Sequence, residues 1–80
     1  MYSKIVGKNI RFERQKLGLT QTELGNILFV SQDTISTWEL GKNEPNLNQL
    51  AQLVKLFKCS LDDLFDLDIK TSKYLNLWEE

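Results

Sequence analysis

Between positions 31 and 39 the chain reads SQDTISTWE, which places an amide at Gln32, a carboxylate at Asp33 and hydroxyls at Thr34, Ser36 and Thr37. Ile35 and Trp38 fall three apart. A helix over this stretch therefore turns both to one side and leaves Gln32, Asp33, Ser36 and Thr37 on the other. Such a face offers side-chain donors and acceptors at fixed spacing, the means by which base edges in a DNA groove are distinguished. The layout is that of a helix that reads nucleic acid, yet it carries no positive charge before Lys42. Attraction to a polyanion must then come from elsewhere.

Catalytic chemistry has no foothold. The chain has no histidine and a single cysteine, Cys59, so neither a metal-ligand set, nor a thiol–imidazole pair, nor an internal disulfide can be assembled. No glycine loop for phosphates and no nucleophile with a base is found. Asp62 and Asp63 are adjacent, which on a helix points them to different sides, and they read as cap and dipole residues rather than an acid/base pair. No enzyme, cofactor, metal or small-molecule ligand is expected. No apolar run approaches the roughly 20 residues of a membrane span, and the first residues lack the apolar core of a signal peptide. The expected location is the cytoplasm.

A hydrophobic content of 41% and a charged content of 26% over 80 residues fit one small globular domain and leave no room for two. A domain this small buries little surface, which makes a dimer an expectation from length alone. Net charge is −1, but it is segregated: Lys4, Lys8, Arg11, Arg14 and Lys16 oppose only Glu13 in the first 16 residues, whereas Asp62, Asp63, Asp66 and Asp68 crowd positions 60–69.

The elements that must hold the polar face are all helical, since apolar residues recur at three and four and nowhere alternate over a strand's length. A first helix over about 3–17 has Val6, Ile10 and Leu17 on one face, with Gly18 as its stop. Thr20-Gln21-Thr22-Glu23 has the form of a capping box and opens a second helix containing Leu24, Ile27 and Leu28, which ends near Phe29. Ser31 caps the third. Gly41, Asn43 and Pro45 mark a loop, after which Asn46 caps a fourth helix striped by Leu47, Leu50, Ala51, Val54 and Phe57. Ser60-Leu61-Asp62-Asp63 opens a short fifth helix with Leu64 and Phe65. Cys59 reads as a small buried hydrophobe.

Two short helices with a tight turn, the second presenting a polar outward face, form a helix-turn-helix, here about 21–40. The runs LGLTQTEL (17–24), VSQDTIS (30–36) and WELGKNEP (38–45) resemble the helix-turn-helix domains of the Cro/C1 phage repressors, also called the XRE family. The resemblance covers roughly residues 5–66 and has several parts at matching spacings, which makes it specific. It implies a compact, all-α, five-helix lambda-repressor-like DNA-binding domain over 1–66, followed by a short tail over 67–80. It further implies a transcriptional regulator, expected to be a repressor, that reads the DNA major groove with a helix over about 31–39, as a homodimer on a palindromic operator in double-stranded DNA.

Residue by residue, the resemblance makes Gln32, Asp33 and Thr37 base-edge readers, with Ser36 beside them. Gln can pair with adenine, Asp can accept from cytosine, and Thr can press its methyl on thymine. The plainer reading of Gln32 and Asp33 is that they cap and solvate a first turn, where the dipole already favours Asp33. Gln21 would hold a phosphate and brace Gln32. Thr20 and Thr34, near helix starts, and Lys42 and Asn43, in the loop, would hold phosphates as well. Arg14 and Glu39 would form an architectural ion pair. The low positive charge leaves a rival open, a protein-interaction module of the same fold, antitoxin-like or an assembly partner.

Three positions depart from the family pattern. Gly25 stands where Ala is usual, keeping a close approach while weakening the second helix by about 1 kcal/mol. Phe29 stands where Gly is commonest, so it must avoid a positive φ or accept strain. Leu40 replaces a polar residue. The tail brings Tyr74, Leu75, Leu77 and Trp78, expected either to fold back onto Phe12 or the core or to form the dimer contact.

Overall fold

The computed structural model describes residues 2–66. They form five helices, α1 (Tyr2–Lys16), α2 (Gln21–Leu28), α3 (Gln32–Glu39), α4 (Leu47–Phe57) and α5 (Leu61–Phe65), with no strand among the described residues. The fold is all-α. The tail residues Tyr74, Leu75, Leu77 and Trp78 lie outside the described residues, so the expectation placed on them is not addressed by the fold.

The starts of α2, α3, α4 and α5 are written locally. At α2, Thr20 accepts from the Glu23 amide at 3.0 Å while the Glu23 carboxylate accepts from the Thr20 amide at 2.8 Å. Asn46 with Gln49 and Ser60 with Asp63 close the same reciprocal box at α4 and α5, and Ser31 caps α3 through the Thr34 amide. Because these caps satisfy orphan amides with side chains only three residues away, they need no tertiary partner.

The core gathers Val6 and Ile10 of α1, Leu24 and Leu28 of α2, Ile35 and Trp38 of α3, Leu53 and Phe57 of α4 and Leu64 of α5. Four expected buried positions turn out otherwise: Leu17, Ile27, Leu47 and Ala51 are exposed. On α4 the buried face runs through Leu50, Leu53, Val54 and Phe57, one position round from the expected stripe. Both faces satisfy helical spacing; α1 and α5, which pack on α4, select the one that carries Leu53. On α1 the face continues from Ile10 to Arg14, a buried charge, instead of to Leu17.

Phe29 accepts strain. It caps α2 in the left-handed conformation, φ 61° and ψ 39°, and the residue is 94% exposed. A left-handed conformation costs a non-glycine residue on the order of 1 kcal/mol, and here no packing offsets it. Phe29→Gly should therefore raise the unfolding free energy by about 1 kcal/mol, less the larger chain entropy that glycine brings to the unfolded state. Urea denaturation would show this as a higher midpoint at unchanged slope; a lower midpoint would mean that the ring makes contacts worth more than the strain.

Gly25 does more than tolerate a close approach. A methyl group there would lie 2.7 Å from the Val30 carbonyl oxygen, so the turn between α2 and α3 is drawn in tighter than Ala admits.

Candidate nucleic-acid interface

The polar face of α3 is built as its sequence suggests. Ile35 and Trp38 are buried, while Gln32 and Asp33 are exposed and Thr34, Ser36 and Thr37 are half-buried. The Ser31 cap consumes the Thr34 amide, leaving the backbone amides of Gln32 and Asp33 without intrahelical acceptors at the positive end of the helix dipole. The side chains of Asp33 and Ser36 form no hydrogen bond among the described residues. Thr37 donates its hydroxyl proton to the Thr34 carbonyl at 2.8 Å. Its lone pairs and methyl remain for an outside partner, so it can accept or make apolar contact but does not donate.

Four of the residues singled out in the sequence form one hydrogen-bonded chain. Arg14 Nε donates to Glu39 Oε2 at 2.6 Å and Arg14 Nη2 to Glu39 Oε1 at 3.0 Å, a bidentate pair between side chains about 10% and 4% exposed. Arg14 Nη1 also donates to the Leu19 carbonyl at 2.7 Å, tying the α1–α2 connection to the same guanidinium. Gln21 Nε2 donates to Glu39 Oε1 at 3.0 Å, and Gln32 Nε2 donates to Gln21 Oε1 at 2.6 Å. The first residue of α3 is thereby connected to the last, through α2, and to α1.

The hydrogen bond to Glu39 holds the Arg14 guanidinium above the ordinary arginine pKa, against burial, which lowers it. A raised folded value means that the stabilisation is complete below the ordinary arginine value and is lost only in strong alkali. Cys59, expected to be buried, is half-buried; partial burial, with the Glu13 and Asp63 charges, pushes its thiol up, so it stays protonated at neutral pH.

Thr20 and Thr34 sit at helix starts, but their amides are taken by Glu23 and Ser31. Their hydroxyls are engaged as well, Thr20 accepting from the Glu23 amide and Thr34 hydrogen-bonded to the Ser31 hydroxyl at 3.0 Å; each hydroxyl keeps only its remaining capacity for an outside partner. Lys42 and Asn43 are exposed in the loop after α3. Asn43 Oδ1 accepts from the Glu44 amide at 2.9 Å, leaving its amino group free to donate outward. Among the described residues, these loop side chains make no hydrogen bond to the Gln21–Gln32 chain. Phe12 is exposed on the α1 surface, with the Lys16 ammonium 5.2 Å from its ring centre.

Two positioning features were not read from the sequence. Gly7 brings α1 onto the end of α3, and Asn9 donates to the Leu64 carbonyl at 2.8 Å, fastening α5 to α1. A glycine in the middle of a helical pattern was the available signal for the first, since it commonly marks a close backbone approach.

The sequence pattern of the family described as "Helix-turn-helix" matches residues 10–64. Repressor protein C2 of Salmonella phage P22 is 39% identical over 69 residues, 86% of this chain and 32% of its own length. The HTH-type transcriptional regulator DicA of Escherichia coli (strain K12) is 38% identical over 55 residues, 69% of this chain and 41% of its own. An HTH-type transcriptional regulator of Archaeoglobus fulgidus is 37% identical over 59 residues, 74% of this chain and 84% of its own. Among solved structures, the P22 c2 repressor in complex with synthetic operator 9T superposes with a TM-score of 0.72 at 41% identity, covering 79% of this chain and 96% of that one. The chain spans about a third of the length of the P22 repressor and 41% of that of DicA.

Proposed function

This chain belongs to the helix-turn-helix family, in its Cro/C1 phage-repressor branch, and from that membership we propose that it is a sequence-specific double-stranded DNA-binding transcriptional regulator. It acts as a repressor, and its α3 enters the major groove. The observation that carries this reading is the braced amide at the start of α3. An exposed glutamine normally samples many rotamers, and ordering it on binding costs on the order of 1.5–2 kcal/mol. Gln21 holds Gln32 in one place beforehand, which serves recognition of a fixed surface and contributes nothing evident to packing.

The bracing leaves the groups that recognition needs. Gln32 spends one N–H on Gln21 and keeps its carbonyl oxygen and second N–H, the pair that adenine's N6 and N7 accommodate. Asp33 suits a cytosine amino group, and Thr37, its proton committed, suits a thymine methyl. Ser36 flanks them. Phosphates are met by Gln21 through its second N–H, by the hydroxyls of Thr20 and Thr34, and by Lys42 and Asn43 in the loop, with the orphan amides at the start of α3 adding their partial charge. The polyanion is thus attracted by helix ends and flanking cations rather than by the reading face itself.

Two copies related by a two-fold axis would place two such helices in successive major grooves, roughly one helical turn apart, on a palindromic operator.

Gln32→Ala should cost about 1–3 kcal/mol at one base position and leave the melting temperature unchanged, because the residue is exposed and its side chain hydrogen-bonds, among the described residues, only to Gln21. Competition binding across single-base variants of a bound duplex measures this. A loss spread evenly over every position would remove Gln32 from base reading.

A further inference from the structure

Glu39 lies at the far end of α3 from Gln32, is almost completely buried, and is accounted for by its pairing with Arg14. Its link to Gln21 is not. We infer that Glu39 is a positioning residue that fixes which way round the Gln32 amide faces a base pair, and so governs discrimination at that base pair more than affinity for it. This rests on the proposed reading of DNA by Gln32.

The two ends of a glutamine amide are nearly the same size and differ in polarity, one accepting and the other donating. Its terminal torsion is broad and roughly two-fold, so an unrestrained glutamine can reverse and suit whichever base it meets. Here reversal is blocked from a distance. The Glu39 carboxylate, paired with Arg14, only accepts, so Gln21 must turn its amino end toward it, at 3.0 Å. Gln21 then has only its oxygen for Gln32, and Gln32 must give its own amino end, at 2.6 Å. The order of carbonyl and N–H that Gln32 presents outward follows from a carboxylate two side chains away. Reversing it would set an amide oxygen against a carboxylate oxygen beside a buried ion pair, leaving the amide oxygen without a donor and Glu39 Oε1 with Arg14 alone.

The consequence is a particular division between affinity and selectivity. With the carboxylate present, a base pair that needs the reversed order is rejected. Without it, the preferred base pair still finds the correct order about half the time, so its binding weakens only about twofold. The wrong base pair is now accommodated. A Glu39 that served only to neutralise Arg14 would behave otherwise, and its loss would weaken binding to all sequences alike.

The test uses four duplexes differing only at the base pair where Gln32→Ala loses preference, titrated with wild-type protein and two variants. In the Arg14→Met, Glu39→Gln double variant both charges go together, no ion is stranded, and the amide at position 39 can donate as well as accept. Gln21→Met cuts the relay at its middle and leaves the ion pair intact, which keeps the test in hand if the double variant does not fold. Wild type should prefer one base pair by about tenfold or more, the range of a bidentate contact. In both variants the four duplexes should fall within about threefold of one another, and for the double variant the best of them should stay within about threefold of wild type. Full discrimination retained in both variants would overturn the inference, as would an equal loss on all four duplexes. An absence of preference in the wild type would instead sink the assignment of Gln32 itself, and it would be seen before either variant was used.

Discussion

Replacing Arg14 with alanine is expected to lower the unfolding free energy by about 3–5 kcal/mol, the cost of stranding one member of a buried pair. The substitution leaves the Glu39 carboxylate almost wholly out of water with one remaining donor, Gln21, and deprives the Leu19 carbonyl of its partner. A domain of this size has little stability to spare, so a loss of this size should abolish cooperative unfolding under mild conditions or shift the urea midpoint by more than any surface change could. Arg14→Lys should recover only part of it, because an ammonium cannot span both carboxylate oxygens and the Leu19 carbonyl as the guanidinium does. Arg14→Met combined with Glu39→Gln should recover most, since the net value of a buried pair over a neutral substitute is small. A midpoint unchanged by Arg14→Ala would show that water reaches Glu39 and that the pair is not architectural.

The second large effect is expected at Gly7. An added methyl would lie 2.1 Å from the Trp38 carbonyl oxygen and 2.9 Å from that of Glu39, and both obstacles are backbone. A flexible side chain could swing aside; the end of a helix cannot. Gly7→Ala should therefore cost about 3 kcal/mol, the upper part of the usual range for overpacking, even though alanine is the better helix former. The damage should extend to the interface. To relieve the clash α1 must move off α3, and the Arg14–Glu39 pair bridges that same gap. Gly7→Ala should thus broaden or shift the amide resonances of Gln21 and Gln32, whereas Phe29→Gly, which also alters a backbone-critical position, should leave the Gln32 side chain unaffected. Wild-type stability in Gly7→Ala would mean that α1 can slide along α3 freely.

What was legible in the sequence was what neighbours in sequence decide. The starts of α2 to α5 are legible because Thr20, Ser31, Asn46 and Ser60 each hydrogen-bond to an amide three residues on, a matter of local spacing. The polar face of α3 is legible for the same reason, since Ile35 and Trp38 alone set its back. What escaped depended on partners distant in the chain. Leu53 and Leu47 are both leucines at helical spacing from Leu50, and only the neighbouring helices bury one and leave the other 77% exposed. Leu17 lost its expected place because the buried face of α1 runs to Arg14, a residue that hydropathy alone would put outside. The Arg14–Glu39 pairing came from family resemblance and has no local signature, since 25 residues separate the two. The strain at Phe29 was posed by the sequence as a choice between two conformations. Only the turn geometry, tightened at Gly25, shows that the left-handed one is taken.

The central claim, that α3 reads base pairs through a braced Gln32, is tested most directly by selecting bound duplexes from a random-sequence pool at near-physiological salt. The Gln32→Ala, Thr37→Ala variant would be carried in parallel after its fold is checked by circular dichroism. Wild type should enrich a palindrome with half-sites about one helical turn apart, and the variant should lose information at the positions facing residues 32 and 37 while keeping the spacing. Enrichment of the same sequence by both proteins, or of none by a folded wild type, would contradict the account and favour a protein partner for this face.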